Sequence, residues 1–321
     1  MKESYFGNAR TALKKSLLDH GFKPDDIILV PDFICDAILI PMSQLDLKLL
    51  FYSIDISLSP NWNDLSKMIK LNNVKAVLMI HYFGQPTNLL KFIKFSKKHD
   101  LILIEDNAHG YAGKIDGKKL GSFGDIAISS PRKTLNLPTG GVLYSNYTLN
   151  PYFKLNSFPV YRPKNIFKII FSFYINFYNK SRYLLLKNSD WNNPFLFKSR
   201  VEKDYKIDFI SKYIIKKTNW DKIAKNRRNN WNLWSSFAKK NGLVPVYNNL
   251  FSESCPWALP LYAKNINERN KWINWGLKNN VNVFMWPSLP TEIINLESTA
   301  FKLWTRLLCI SLERPPNLKT K

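Results

Sequence analysis

Short apolar runs, each stopped by a polar or turn-forming residue, punctuate the first half of the chain. Ile27-Ile28-Leu29-Val30 stops at Pro31, residues 47–54 stop at Asp55, residues 74–80 meet His81, and Leu101-Ile102-Leu103-Ile104 meets Glu105-Asp106. Ile126-Ala127-Ile128 and Val142-Leu143-Tyr144 follow. Between these runs lie helical patterns at 12–18 and 88–99. In the second, Leu89, Leu90, Phe92, Ile93 and Phe95 form an apolar face with lysines between them. Apolar runs alternating with amphipathic helices predict an α/β fold, with a mixed, mostly parallel central sheet covered by helices on both faces. Such sheets bind ligands beyond the carboxyl ends of their strands. That rule directs attention to His81, Asp106 and residues 129–133.

The pattern changes after residue 150. Residues 151–217 are aromatic, basic and rich in asparagine, and are predicted to form a helical connection. A helix is predicted from Trp220 through Arg227-Arg228 to Lys239. Strands at 259–262 and 281–284, with a helix at 272–277 between them, predict a smaller C-terminal α/β domain. The expected division is therefore 1–150, 151–217 and 218–321. The polar stretch 313–321, with its two prolines, is expected to fray.

A chain of 321 residues, 45% hydrophobic and with ten Trp, fifteen Tyr and twenty-one Phe, can build a sizeable core. Cys35, Cys255 and Cys309 lie far apart, show no metal-ligand spacing, and read as reduced thiols of a cytoplasmic protein. The first eight residues contain no apolar stretch of the signal-peptide kind. The aromatic-aliphatic stretch 166–178 includes Lys168 and Asn176 and is shorter than the roughly 20 residues of a membrane span. The formal net charge of +23 favours anionic partners. An AT-rich genome would enrich Lys, Asn and Ile in the same way, so the charge does not by itself call for nucleic acid. The basic-aromatic residues 161–183 are of a kind that can lie against anionic lipid headgroups.

The candidate chemistry is a carboxylate and an amine. Glu105-Asp106-Asn107-Ala108-His109 closes an apolar strand. About one strand later comes Ser129-Ser130-Pro131-Arg132-Lys133, followed by Gly140-Gly141. A lysine amine can form a Schiff base with an aldehyde, and a carboxylate can hold a pyridine nitrogen protonated, as pyridoxal phosphate chemistry requires. Among 47 Lys and Arg residues, a single lysine is usually a solvated charge; its ordered neighbours set Lys133 apart. Gly7-Asn8-Ala9-Arg10-Thr11-Ala12 reads either as an ordinary helix cap or as a phosphate cradle.

Together these motifs resemble the DegT/StrS-type sugar aminotransferases, which have the fold type I pyridoxal phosphate architecture. The resemblance runs from about residue 7 to 290 and is strongest from 75 to 141. It implies Lys133 as the Schiff-base lysine and Asp106 as the partner of the pyridine nitrogen. It implies His109 against the ring or its hydroxyl, and Ala9, Arg10 and Thr11 at the phosphate with either Ser129 or Ser130. Cys35 occupies the place of a ring-facing residue that is aromatic in most relatives. His81 marks topology more than chemistry. Thr139 replaces an acidic residue before Gly-Gly, which points to a divergent branch. The Asn and Arg that many relatives contribute from a partner subunit have no counterpart near 205–211, a loss for which Arg10 could compensate. The phosphate loop comes within ten residues of Met1, so the substrate contacts of a preceding extension are expected to be missing. The implied reaction moves an amino group from glutamate or glutamine to a keto sugar, nucleotide-linked, in cell-surface glycan biosynthesis. The implied assembly is a homodimer, with no metal and no nucleic acid. Relatives that dehydrate sugars are expected to carry histidine in place of Lys133. The competing reading is a non-catalytic protein whose basic surface binds anionic partners.

Overall fold

The structure, a computed structural model, describes residues 1–147, 149, 152–158, 186, 188–199, 201, 203–295 and 298–316. Seven strands among them form one sheet: β1 (Lys2–Phe6), β2 (Ile27–Pro31), β3 (Lys48–Tyr52), β4 (Val74–Ile80), β5 (Ile102–Asn107), β8 (Ile126–Ser129) and β9 (Gly141–Ser145). A small hairpin of β6 (Lys114–Ile115) and β7 (Lys118–Lys119) lies between β5 and β8 in sequence. The sheet order is β1-β9-β8-β5-β4-β2-β3. Strands β3, β2, β4, β5 and β8 are parallel, as the apolar runs predict; β9 is antiparallel to β8, and β1 to β9. Two reversals return β1 to the direction of the parallel set. Its carboxyl end therefore opens on the same edge as theirs.

Helices α1 (Ala9–Asp19), α2 (Asp36–Ser43), α3 (Trp62–Leu71), α4 (Leu89–Lys98) and α5 (Pro131–Leu135) connect these strands. Asn8 caps α1 by accepting from the Thr11 amide at 2.9 Å. Leu89, Phe92 and Phe95 of α4 are buried while Leu90 is 70% exposed, so the apolar face is narrower than the sequence pattern suggests.

The later part holds α6 (Phe209–Lys217), α7 (Trp220–Lys240), α8 (Ile266–Lys278), α9 (Thr291–Asn295) and α10 (Thr299–Arg306). Strands β10 (Val244–Pro245), β11 (Ala258–Tyr262), β12 (Val283–Met285) and β13 (Leu307–Ser311) form an antiparallel sheet in the order β10-β11-β13-β12. The two strands expected at 259–262 and 281–284 are present, but β13 lies between them. Of the helical connection expected at 151–217, the larger part of 159–187 lies outside the described residues; among the described ones Phe209–Lys217 is helical. Asn156 and Tyr205 bridge, Lys206 bridges to Phe6 beside the main sheet, and 188–199 is a series of turns. The segment 161–183 lies outside the described residues. The C-terminal stretch is held at least as far as Arg314, whose carbonyl accepts from the Trp234 indole at 2.7 Å. One cluster of buried side chains includes residues of both sheets, from Ile28 and Leu103 to Leu259 and Ile310. No helix of the described residues is long and apolar enough to cross a membrane.

Gly140-Gly141 brings the start of β9 against the start of α1. The Gly140 amide donates to the Gly7 carbonyl at 2.9 Å. A Cβ on Gly141 would lie 2.1 Å from the Asn8 carbonyl carbon and 2.4 Å from the Ala9 nitrogen, both backbone atoms. Gly141→Ala must therefore push β9 away from α1, and it is expected to cost about 3 kcal/mol of stability in urea unfolding. A loss below about 0.5 kcal/mol would show that this contact can relax without strain.

Candidate active site

The carboxyl ends of β2, β4, β5 and β8 and the N-terminus of α1 enclose a cavity of about 300 Å³. Strand alternation sends the adjacent carboxylates of β5 to opposite faces. Glu105 turns away from the cavity and is fully buried. It accepts from the Gly121, Phe123 and Gly124 amides at 2.6–2.9 Å and meets His81 Nε2 at 3.0 Å. The Thr87 amide donates to His81 Nδ1, so the His81 proton sits on Nε2 and is donated to Glu105. Burial raises the Glu105 carboxyl pKa, but His81 and the amides outweigh it and hold the group below its ordinary value.

Asp106 faces the cavity with much less support. One oxygen accepts from the Ala108 amide at 2.8 Å. Burial pushes its pKa up, opposed chiefly by Lys133. Lys133 rises from the single-turn helix α5 into the same cavity. Its side chain is exposed to the cavity, where the surrounding protein displaces part of the water that would solvate the amine. That desolvation pulls its pKa below the ordinary lysine value, against Asp106 and Cys35, with Arg132 and Arg10 adding to the downward shift. Its Nζ sits 5.4 Å from the centre of the Trp257 ring.

His109 also lines the cavity and stacks on Trp257, with ring centres 4.4 Å apart. Phe83, held in the left-handed region at φ 56°, donates its amide to His109 Nδ1 at 3.2 Å, which puts the proton on Nε2. Burial and then Lys133 drive the His109 pKa well down, so the ring is neutral. The Phe83 carbonyl accepts from the Trp257 amide at 2.9 Å, so one strained residue fixes both members of the stack.

Of the other residues singled out from sequence, Ala9, Arg10, Cys35 and Ser130 line the cavity. Ala9 and Arg10 begin α1, ahead of its first internal hydrogen bonds; the amides of Thr11 and Ala12 are taken by Asn8. Thr11 is not part of the wall, and its hydroxyl donates to Asp204 at 3.1 Å. Ser129 sits on the face of β8 opposite Ile128, on the side of Ala127 and Tyr144, and does not reach the cavity. Cys35 is half-buried; burial raises its thiol pKa, opposed by Lys133. The Trp286 side chain closes the wall from the far end of β12, and Arg132 and Ser199 complete it. Arg132 belongs to the lysine motif and Trp286-Pro287 resembles a turn of the family's small domain, but neither was expected at the site, and Ser199 and Trp257 did not stand out in the sequence. The aromatic-proline pairs Pro256-Trp257 and Trp286-Pro287 were the available signal.

These residues suit pyridoxal phosphate. An amine shares the cavity with a carboxylate whose second oxygen has no hydrogen bond from a described residue. Arg10, Arg132 and Lys133 surround a cavity with Asp106 as its wall carboxylate, a balance that favours an anion, and the first amides of an eleven-residue helix lie beside them. No group of three or more potential metal ligands occurs among the described residues.

Residues 5–148, which contain all of these strand ends, match the model of the DegT/DnrJ/EryC1/StrS aminotransferase family. That stretch, 144 of the 321 residues, is similar to the family. The chain is 28% identical over 145 residues to a GDP-perosamine synthase of Escherichia coli O157:H7, covering 43% of this chain and 39% of that one. It is 31% identical over 142 residues to a dTDP-4-dehydro-2,3,6-trideoxy-D-glucose 4-aminotransferase of Saccharopolyspora spinosa, covering 43% and 36%. The match thus spans less than two fifths of the length of these curated relatives. Over the whole fold, Helicobacter pylori PseC, an aminotransferase involved in the biosynthesis of pseudoaminic acid, superposes with a TM-score of 0.68 at 16% identity, covering 97% of this chain and 81% of that one. The chain accordingly shares the fold of that solved aminotransferase, a mostly parallel α/β sheet with helices, and carries a smaller antiparallel sheet beside it.

Glu105 offers a test of the support behind the site. Glu105→Gln keeps the shape but loses an acceptor facing three amides and His81. It is expected to cost about 3 kcal/mol at pH 7. Because the folded-state pKa is depressed, the stabilisation is fully present above the unfolded value of about 4.3 and fades as pH falls through the lower folded value. Urea unfolding of both proteins should show a smaller gap at pH 3 than at pH 7. An equal gap at both would contradict the assignment.

Proposed function

We propose that this chain is a pyridoxal phosphate-dependent aminotransferase whose acceptor is a keto sugar, nucleotide-linked, and whose donor is glutamate or glutamine. The observation that carries the reading is the meeting of the Lys133 amine and the Asp106 carboxylate in one cavity beside the start of α1. When bound, pyridoxal phosphate supplies an aldehyde and an electron-withdrawing ring. Lys133 is the amine that holds it. Its lowered pKa keeps more of Nζ uncharged near neutral pH, so it can take up and return a proton beside the substrate. Asp106 holds the ring nitrogen, and a cation there would offset the burial that raises its own pKa. Ala9, Arg10 and Ser130 receive the phosphate. His109, with its Nε2 proton, and Cys35 border the ring. The nucleotide link is favoured by the names of the two relatives above, which specify GDP- and dTDP-linked sugars, and by the cations of the wall.

In this reading residues 1–150 bind the cofactor, 218–321 form the smaller domain that covers it, and 151–217 connect the two. The enzyme acts as a cytoplasmic homodimer in cell-surface glycan synthesis.

Two outcomes are expected. Incubation with pyridoxal phosphate, borohydride reduction and peptide mapping should place the pyridoxyl group on Lys133; an adduct on a different lysine would refute its role. Asp106→Asn should still take up the cofactor but turn over a panel of nucleotide-linked keto sugars at least about 10²-fold more slowly. Near-normal turnover by that variant would remove Asp106 from the mechanism, and no turnover of the panel by the unmodified chain would remove the nucleotide-linked acceptor.

A further inference from the structure

Helix α5, which carries Lys133, cannot hold its own shape. It spans five residues, and an isolated turn of that length is unstable because nucleation costs more than its few hydrogen bonds return. At its ends the Lys133 amide donates to the Ser130 carbonyl, and the Asn136 and Leu137 amides donate to the Arg132 carbonyl. Trp257, whose ring centre is 5.4 Å from the Lys133 amine, comes from a stretch just before β11 that is not part of a helix or strand until Ala258. The amine and the ring on which it rests are thus carried by two weakly self-supported segments, about 120 residues apart in sequence.

One side chain joins them. Arg227, in the middle of the 21-residue helix α7, is only 5% exposed. Its Nη2 donates to the Thr134 carbonyl of α5 at 3.1 Å. Its Nη1 donates to the carbonyls of Pro256 at 3.2 Å and Trp257 at 2.8 Å. All three acceptors are backbone oxygens, so the guanidinium reads no side chain and instead fixes two chain segments against each other. The planar fork of arginine can do this; the single ammonium of lysine cannot span the same acceptors. Arg228, the next residue, reaches the same stretch by donating to the Ser254 carbonyl at 2.8 Å and, among the described residues, makes no hydrogen bond to α5.

We propose that Arg227 is a positioning residue for Lys133, clamping α5 to the Trp257 segment so that the amine is held inside the cavity over the indole ring. The clamp acts through the main chain and makes no contact with the reacting groups. It rests on the reading of Lys133 as the reactive amine, and it extends that reading to a residue of α7 outside the cavity wall.

The test measures Lys133 directly in the full-length chain. Without cofactor, the protein is labelled with acetic anhydride across the lysine titration range, and peptide mass spectrometry reads the midpoint at Lys133. A second arm measures the rate at which pyridoxal phosphate plus borohydride modifies Lys133. In Arg227→Lys and Arg227→Gln the midpoint should move towards the ordinary lysine value of about 10.4, and trapping should slow severalfold as less of the amine is uncharged. Arg228→Ala should keep the unmodified midpoint and rate, which separates clamping from a general loosening of the Trp257 stretch. A folded Arg227 variant with unchanged midpoint and rate overturns the proposal, as does an equal shift in Arg228→Ala. Failure of both Arg227 variants to fold also overturns it, because the residue would then serve overall stability. If the unmodified chain forms no adduct at Lys133, the functional reading fails, while the anhydride arm still decides the clamp.

Discussion

Two adjacent carboxylates buried at the end of one strand are the constraint around which the rest of the site is arranged. A buried charge is tolerated only with compensation. Glu105 receives it in full, from three amides and His81, and in return fixes the 121–124 loop against β5. Asp106 receives one amide and the field of Lys133. Because alternation places them on opposite faces, the first secures the strand and the second remains available to a ligand. The same chemical group has two roles here, set by how many donors reach it.

The same economy recurs across the cavity. His109 is held neutral by burial and oriented by Phe83, a residue in a backbone conformation that costs energy. Trp257 is fixed by that same residue and supports both His109 and Lys133. Strain at one position is thus offset by the ordering of three side chains. These contacts join the turn after β4, the turn after β5, α5 and the stretch before β11.

The parallel core of the sheet was legible because each strand buried on both faces is a continuous apolar run, and Asp106, Lys133, Ala9, Arg10, His109, Cys35 and Ser130 all line the cavity that its strand ends suggested. The edges were harder to read. β1 is a five-residue strand with a polar face, where Glu3 is engaged by Tyr5, Tyr111 and Lys119, so no apolar pattern marks it. β13 follows α10 with no turn residue between Arg306 and Leu307, and helix and strand merge into one apolar stretch. α3 carried its signals in the Asn61 cap and in Leu65, Met68 and Ile69, which lie among polar residues. Thr11 and Ser129 are the instructive pair at the site. Motif position brought both near the phosphate, but a hydroxyl's direction depends on its rotation about the helix or on strand parity, and here Asp204 takes one while β8 turns the other away. Trp257, Trp286 and Arg227 come from distant segments, and only the tertiary fold brings them to Lys133.

Strand β1 has a consequence for the order in which the molecule can be assembled. Lys2 pairs with Ser145 and Phe6 with Gly141, so the first strand waits for a partner more than a hundred residues downstream. Strands β2 to β5 and β8 can associate through shorter crossovers, while closing so long a loop carries a larger entropic cost. During synthesis the amino end must therefore stay unpaired until β9 has emerged, and only then does the start of α1 come to rest against Gly141. The anion-facing turn of α1 is in this sense encoded first and completed late, so a nascent chain stalled before residue 141 would hold much of the parallel sheet but no finished pocket.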